Sequence, residues 1–374
     1  MLNKGKLIIL LFVVAGIVLQ PGFAKENLSK LKQRYEESKK DFEYLSLFTE
    51  VAAYIKQEYV EEINPKEKFP GAYINMLKSL DKLSTYLNKE ETKIHLLLNE
   101  NSTNIVYNSG IFGYRAGGYF YITSVLKNSP ADLSRLKKGD VIKGINQKSI
   151  FSLPYRNMFY KLFSLYPKNI ELVILRKDKK DPIMFKFKTE PIRLTSYTKK
   201  IDKKTYLIKI RKYDNYTINL IKKLKPFANK RLIMDLREYI GGDFKKFKEI
   251  AELLLPDFKL KLKYKNKETV ETIGNKVNKN SNIVVIVDKS TIMYNYLLAY
   301  FLKQAKHKII GNEAKGMISI LLQSILDDSS SILISKAYYL YKDVNLLKTK
   351  ISPDKKTENL NDKEILLLAL KSLK

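Results

Sequence analysis

Apolar residues from Glu26 to about Leu97 return every three or four positions: Leu28, Leu31 and Tyr35, then Phe42, Leu45, Phe48, Val51, Ala52 and Ile55. That is the helical period, so this stretch predicts amphipathic helices. Asn64-Pro65 marks a turn, and a second helix is predicted from about Lys68 to Leu80. Beyond Asn104 the period shortens. Tyr119 to Val125 alternates, Ser129-Pro130 breaks the pattern, Gly139-Asp140 turns, and Val141-Ile142 and Ile170 to Leu175 are apolar runs of strand length. From about Arg193, strand-like runs at Leu207–Ile210, Leu232–Leu236, Ile283–Val287 and Lys308–Ile310 alternate with helical patterns near Tyr216–Leu224, Lys245–Leu255 and Asn295–Ala305. Such alternation predicts an α/β core. There is no internal repeat and no low-complexity linker.

The first residues read differently. Lys4 and Lys6 precede an apolar stretch from Leu7 to Leu19, and small residues stand at Gly22 and Ala24. This is the order of a secretory signal, with the mature chain starting near Lys25. The stretch falls short of the roughly 20 residues that span a bilayer, which makes a retained anchor the secondary reading. Cysteine is absent, excluding disulfides, thiolate metal sites and a cysteine nucleophile. Two histidines, His95 and His307, lack any metal-ligand spacing, so neither a zinc site nor a Ser-His-Asp triad is expected, and no cofactor is called for. The net charge of +30 would suit an anionic partner, but the lysines are spread along the whole chain rather than clustered. No nucleic-acid partner is expected; peripheral contact with a membrane surface is compatible with the charge.

Several segments carry more specific information. Gly71-Ala72-Tyr73-Ile74-Asn75-Met76-Leu77-Lys78-Ser79-Leu80-Asp81-Lys82-Leu83-Ser84-Thr85-Tyr86-Leu87, preceded by Tyr59-Val60-Glu61, ends a helix at a turn. Then come Phe112-Gly113-Tyr114, Asn128-Ser129-Pro130-Ala131 and Lys138-Gly139-Asp140-Val141-Ile142. Leu232-Ile233-Met234-Asp235-Leu236-Arg237 runs into Gly241-Gly242, and Ile351-Ser352-Pro353-Asp354 precedes a last helix. Together these resemble the carboxyl-terminal processing (tail-specific) serine proteases, over nearly the whole mature chain. The resemblance implies a mixed α/β fold: signal peptide 1–24, N-terminal helical region 25–105, PDZ domain 106–192 and tail-specific-protease-like α/β core 193–374.

In that family a serine attacks, a lysine takes its proton, and a glutamine orients the lysine. Carried over by position, Thr291-Ile292-Met293-Tyr294-Asn295 puts Asn295 at the nucleophile, and Gly311 to Leu321 puts Met317 at the lysine and Leu321 at the glutamine. All three roles would be vacant. A rival register makes Lys315 the base, with Ser290, Thr291 or Ser319 as a displaced nucleophile. Gly241 and Gly242 correspond to the oxyanion turn. In the PDZ segment, Phe112, Gly113 and Tyr114 are expected to hold a peptide carboxylate, and the strand with Tyr119, Tyr121 and Thr123 to accept the peptide along its edge. The expected function is therefore that of an exported, periplasmic or cell-envelope pseudoprotease binding C-terminal peptides of exported proteins, alone or with an active protease paralogue. An active endopeptidase with a displaced dyad and a basic surface-binding protein are the alternatives.

Overall fold

The helical period of the N-terminal third breaks at each turn signal. The computed structural model describes residues 43–374 apart from 100–105, 228, 276–281, 359 and 374; the expected signal segment lies outside the described residues. Helix α1 covers residues 43–58. Helix α2, Pro65–Lys78, starts at the predicted Asn64-Pro65 turn, where a proline's missing N–H costs nothing. The Asp81 carboxylate then accepts from the amides of Leu83 (2.7 Å) and Ser84 (2.8 Å) and fixes a turn, and a short strand follows, β1, Thr85–Leu87. Helix α3, Lys89–Asn99, opens with a reciprocal cap in which Asn88 Oδ1 accepts from Glu91 N–H (2.9 Å) and Glu91 Oε2 from Asn88 N–H (3.2 Å). The chain divides after Lys68, and residues Phe69–Lys374 form one unit that contains everything below.

The first sheet of this unit is PDZ-like. Strands β2 (Val106–Asn108), β3 (Ile111–Ala116), β4 (Tyr119–Val125), β5 (Val141–Ile145), β6 (Asn169–Leu175) and β7 (Ile183–Lys188) come with two short helices, α4 (Pro130–Leu133) and α5 (Tyr155–Tyr160). The order β3-β4-β5-β6-β7 is antiparallel throughout. Alternate residues turn inward, Phe120 and Ile122 on β4 and Ile170, Leu172 and Ile174 on β6, as a half-buried sheet requires.

Beyond Ile192, strands β8 to β17 are, in turn, Tyr197–Lys200, Thr205–Lys209, Arg231–Asp235, Phe258–Tyr264, Glu268–Ile273, Asn282–Val287, Lys308–Gly311, Ile320–Ile325, Ser331–Tyr341 and Lys355–Lys356. Helices α6 (Asn215–Lys222), α7 (Phe244–Leu254), α8 (Met293–Gln304) and α9 (Asp362–Ser372) lie between and after them. Strands β9, β10, β13 and β14 run parallel, in the order β8-β9-β10-β13-β14-β17. Their continuous apolar runs are explained by cover on both faces. Ile233, Val284, Ile286 and Ile310 pack with Ile365 and Ala369 of α9, while Leu232, Met234, Val285 and Val287 join the larger core with Leu297, Leu298 and Phe301 of α8. In a third sheet the long β16 pairs with β11, β15 and, from the far end of the sequence, β1, placing Thr85 opposite Leu333. The carboxyl ends of β9, β10 and β13 converge, which is where open parallel sheets place their sites.

Candidate active site

Strand β13 ends in a turn locked by its own side chains. Asp288 Oδ1 accepts from Ser290 N–H (2.8 Å) and Ser290 Oγ–H (2.6 Å), and Thr291 Oγ1 accepts from Asp288 N–H (3.0 Å). Burial pushes the Asp288 carboxyl above its ordinary range. Helix α8 then begins at Met293, whose backbone sits at φ +51, in the left-handed region that non-glycine residues avoid. Its N–H donates to Met317 O at 3.0 Å. The residue presented beside Met317 is therefore Met293.

Asn295, the expected nucleophile position, lies deeper. It is fully buried, and its Nδ2 donates to Ile210 O (2.8 Å) and Leu236 O (2.9 Å), the carbonyls just past β9 and β10. The amide thus fastens α8 to the two strand ends, while its Oδ1 is buried without a partner. Met293, two positions before Asn295, stands on a strained strand-to-helix turn of the kind that commonly displays reactive groups, a backbone property that no residue type announces. Leu321 stands in β15 next to a bulge, opposite Ser335, and packs half-buried against the core.

The rival residues are not assembled. Lys315 is exposed in a two-residue bridge to Lys350. The Ser319 hydroxyl pairs with Ser335 Oγ at 2.8 Å, Ser290 bonds Asp288, and Thr291 caps its own turn. The expected Gly-Gly turn is instead a short strand, Gly241–Gly242, paired in parallel with Lys212 and Tyr213, and it is packed rather than open. Gly242 has φ +121, a Cβ there would lie 2.6 Å from Tyr213 backbone atoms, and its N–H donates to Asn99 Oδ1 of α3 at 3.2 Å. A Cβ on Gly241 would meet Leu98 O at 2.4 Å. Tyrosines fill the surrounding space. Tyr294 meets Phe247, Tyr213 and Tyr239 with ring centroids 5.5, 5.7 and 6.3 Å away, and burial pushes its hydroxyl up to about 12.

Next to this turn lies a buried ionic network that the sequence did not reveal. Lys209, 2% exposed, bridges Asp235 (3.1 Å) and Glu238 (3.2 Å). Arg237 grips Asp235 with Nε (2.9 Å) and Nη2 (2.7 Å) and reaches Asp362 (2.8 Å), while Arg211 holds Glu238 at 2.7 Å. Burial works against both carboxylates, but Arg237 and Lys209 outweigh it at Asp235, and Lys209 and Arg211 at Glu238, so both sit below their ordinary range.

Residues 191–357 match the family model of Peptidase family S41. Similar curated proteins are the probable CtpA-like serine proteases of Staphylococcus saprophyticus, 24% identical over 316 residues (81% of this chain, 63% of the relative), and of Staphylococcus aureus, 24% identical over 329 residues (85% and 65%). The α/β core of this chain is thus similar to Peptidase family S41, and most of the chain is similar to CtpA-like serine proteases. The chain spans less than two thirds of the length of these relatives. In fold it resembles the photosystem II D1 C-terminal processing protease, with a TM-score of 0.62 at 18% identity, covering 85% of this chain and 89% of that one. The expected mixed α/β architecture is thereby found, PDZ-like region included.

The PDZ-like sheet covers part of the expected peptide edge. Strand β4 pairs with β3 along its length and with β5 at Phe120 and Tyr121, so that part of Tyr119 to Val125 is no edge; the outer strands of that sheet are β3 and β7. Phe112, Gly113 and Tyr114 belong to β3 rather than to a free loop. Gly113 is needed because a Cβ would lie 2.1 Å from Tyr121 O on β4, not because a carboxylate approaches. Tyr114 stacks on Tyr121 (5.1 Å), and Lys289 Nζ sits 4.9 Å above the Tyr114 ring. Ser124 Oγ donates to Glu238 Oε1 at 2.7 Å. Tyr114, Tyr121 and Thr123 therefore face the α/β core across a cavity of about 150 Å³ that also touches Arg237 and Asp288. Tyr119 meets Phe151 instead, with ring centroids 6.2 Å apart.

Proposed function

We propose that this S41 homologue is a pseudoprotease that captures the C-terminal peptides of exported proteins and does not cleave them. The observation that carries the reading is the pair Met293 and Met317, a thioether on the strained turn and a thioether where the family's base would stand. Neither can donate or accept a proton in hydrolysis. Asn295 and Leu321 supply no replacement, and Lys315 stands exposed in its bridge to Lys350 while Ser290 and Ser319 bond other partners. Loss of a serine hydrolase nucleophile alone costs on the order of 10⁶ in turnover. Capture is assigned to the β3 edge, where an extended peptide can add as a strand. Export follows from the basic, apolar and small-residue order of Met1 to Ala24.

The test is a cleavage assay with the purified chain on unfolded casein and on peptides with free C-termini, read by mass spectrometry. Intact substrate after prolonged incubation is expected. Turnover abolished by Lys315→Ala would overturn the reading in favour of a displaced dyad.

A further inference from the structure

Arg156, on α5 of the PDZ-like region, points at the vacated turn and has no carboxylate partner among the described residues. Its Nη1 donates to Tyr160 Oη at 3.3 Å, its Nη2 approaches Met293 Sδ at 3.5 Å, and its Nε is buried with nothing to bond. Burial works against its charge, and the groups that favour it and carry it above its ordinary value are the phenols of Tyr160, Tyr239 and Tyr155. All three hydroxyls are held above their ordinary value by burial and so stay neutral. A guanidinium shut away from water without an anion is costly.

The same chain shows what this edge of an arginine does elsewhere. Arg176 binds Asp140 with Nε and Nη2 both at 2.7 Å, Arg237 binds Asp235 with Nε at 2.9 Å and Nη2 at 2.7 Å, and Arg211 binds Glu238 with Nε at 3.0 Å and Nη2 at 2.7 Å. In all three the Nε/Nη2 edge lies side-on to a carboxylate. At Arg156 that edge meets a thioether, a weak acceptor. His95 also registers the uncompensated charge. Burial and then Arg156 hold its imidazole down to about 3, and its Nδ1 lies 2.7 Å from Tyr160 Oη.

We infer that the Nε/Nη2 edge of Arg156 is a carboxylate-binding site, and that its ligand is the terminal carboxylate of a peptide led to the vacated turn, with the flexible Met293 side chain moving aside. Methionine suits that role, being unbranched and adaptable. The chemistry is shared by any small carboxylate; the peptide source is chosen because α5 belongs to the PDZ-like region, the part assigned to peptide capture. The inference rests on the reading of the centre as non-cleaving.

The full chain is titrated calorimetrically with N-acetyl-trialanine as free acid and as amide. The acid should bind about 10- to 100-fold more tightly, the range of one charge-assisted pair. Arg156→Gln should remove that preference without changing amide binding, and Arg156→Lys, which keeps the charge but not the fork, should restore little of it. The Met293 methyl resonance should shift with the acid and not with the amide, a readout independent of whether Arg156→Gln folds. Equal binding of acid and amide, or a preference that survives Arg156→Gln, would overturn the site. Displacement of the peptide by sodium acetate or sulfate at equal concentration would overturn the peptide as its source. Cleaved trialanine in the same samples would refute the non-cleaving reading, whereas intact peptide bound without regard to Arg156 refutes only this inference.

Discussion

Asn295→Ala tests whether the position aligned with the nucleophile has become a structural tie. In the folded chain Asn295 Nδ2 supplies hydrogen bonds to Ile210 O and Leu236 O at 2.8 and 2.9 Å, and the residue is wholly buried. Alanine leaves both carbonyls facing an apolar interior. Each orphaned acceptor costs about 1–3 kcal/mol. Removal of Asn295 Oδ1, itself buried without a partner, returns part of that, so the net loss is about 2–4 kcal/mol. At about 2 °C per kcal/mol for a large unit, the melting temperature should fall by roughly 4–8 °C. Asn295→Asp should cost more at neutral pH, because an ionised carboxylate cannot donate and would face two carbonyl oxygens, and part of the loss should return on acidification. Urea unfolding followed by circular dichroism at pH 7 measures both. A loss below about 0.5 kcal/mol, the range of an ordinary surface change, would refute the tie. Asn295→Ser should show a similar loss and no peptide cleavage, because the strained turn beside Met317 is occupied by Met293.

Lys209→Met should lower stability by about 3 kcal/mol or more, since it keeps the buried length but strips a cation from two buried carboxylates; urea midpoints check this, and adding Glu238→Gln should recover part of the loss. For pH, Asp235 and Glu238 have folded values below their unfolded ones. Their contribution is complete above the unfolded values near pH ~4 and is lost as pH falls through the lower folded values. Asp288 and Glu91, raised by burial, act in the opposite direction as pH rises above their unfolded values. Net stability should therefore fall on acidification below pH ~4, and Lys209→Met should begin to unfold at a higher pH than the parent.

Much of the architecture was legible in one dimension. The period of three to four marked helices, the Asn64-Pro65 break marked the start of α2, and the apolar runs at Leu232–Leu236 and Ile283–Val287 marked parallel strands, because burial on both faces demands continuous hydrophobicity. Order and spacing of short motifs were enough to indicate the S41 relatives. That Met317 has no base to offer is equally a property of the sequence. Which residue stands beside it is not. Only the tertiary structure brought Met293 against Met317 and buried Asn295 beneath it, since both depend on the backbone at the start of α8. It also decided that Tyr114, Tyr121 and Thr123 face the core, because the packing of the PDZ-like sheet against Glu238, Asp288 and Lys289 joins segments far apart in sequence. The ionic network around Lys209 and the unpaired edge of Arg156 likewise depend on chain segments far apart in sequence. Local periodicity records what each segment must bury; whether a buried charge finds a partner depends on what the rest of the fold brings to it.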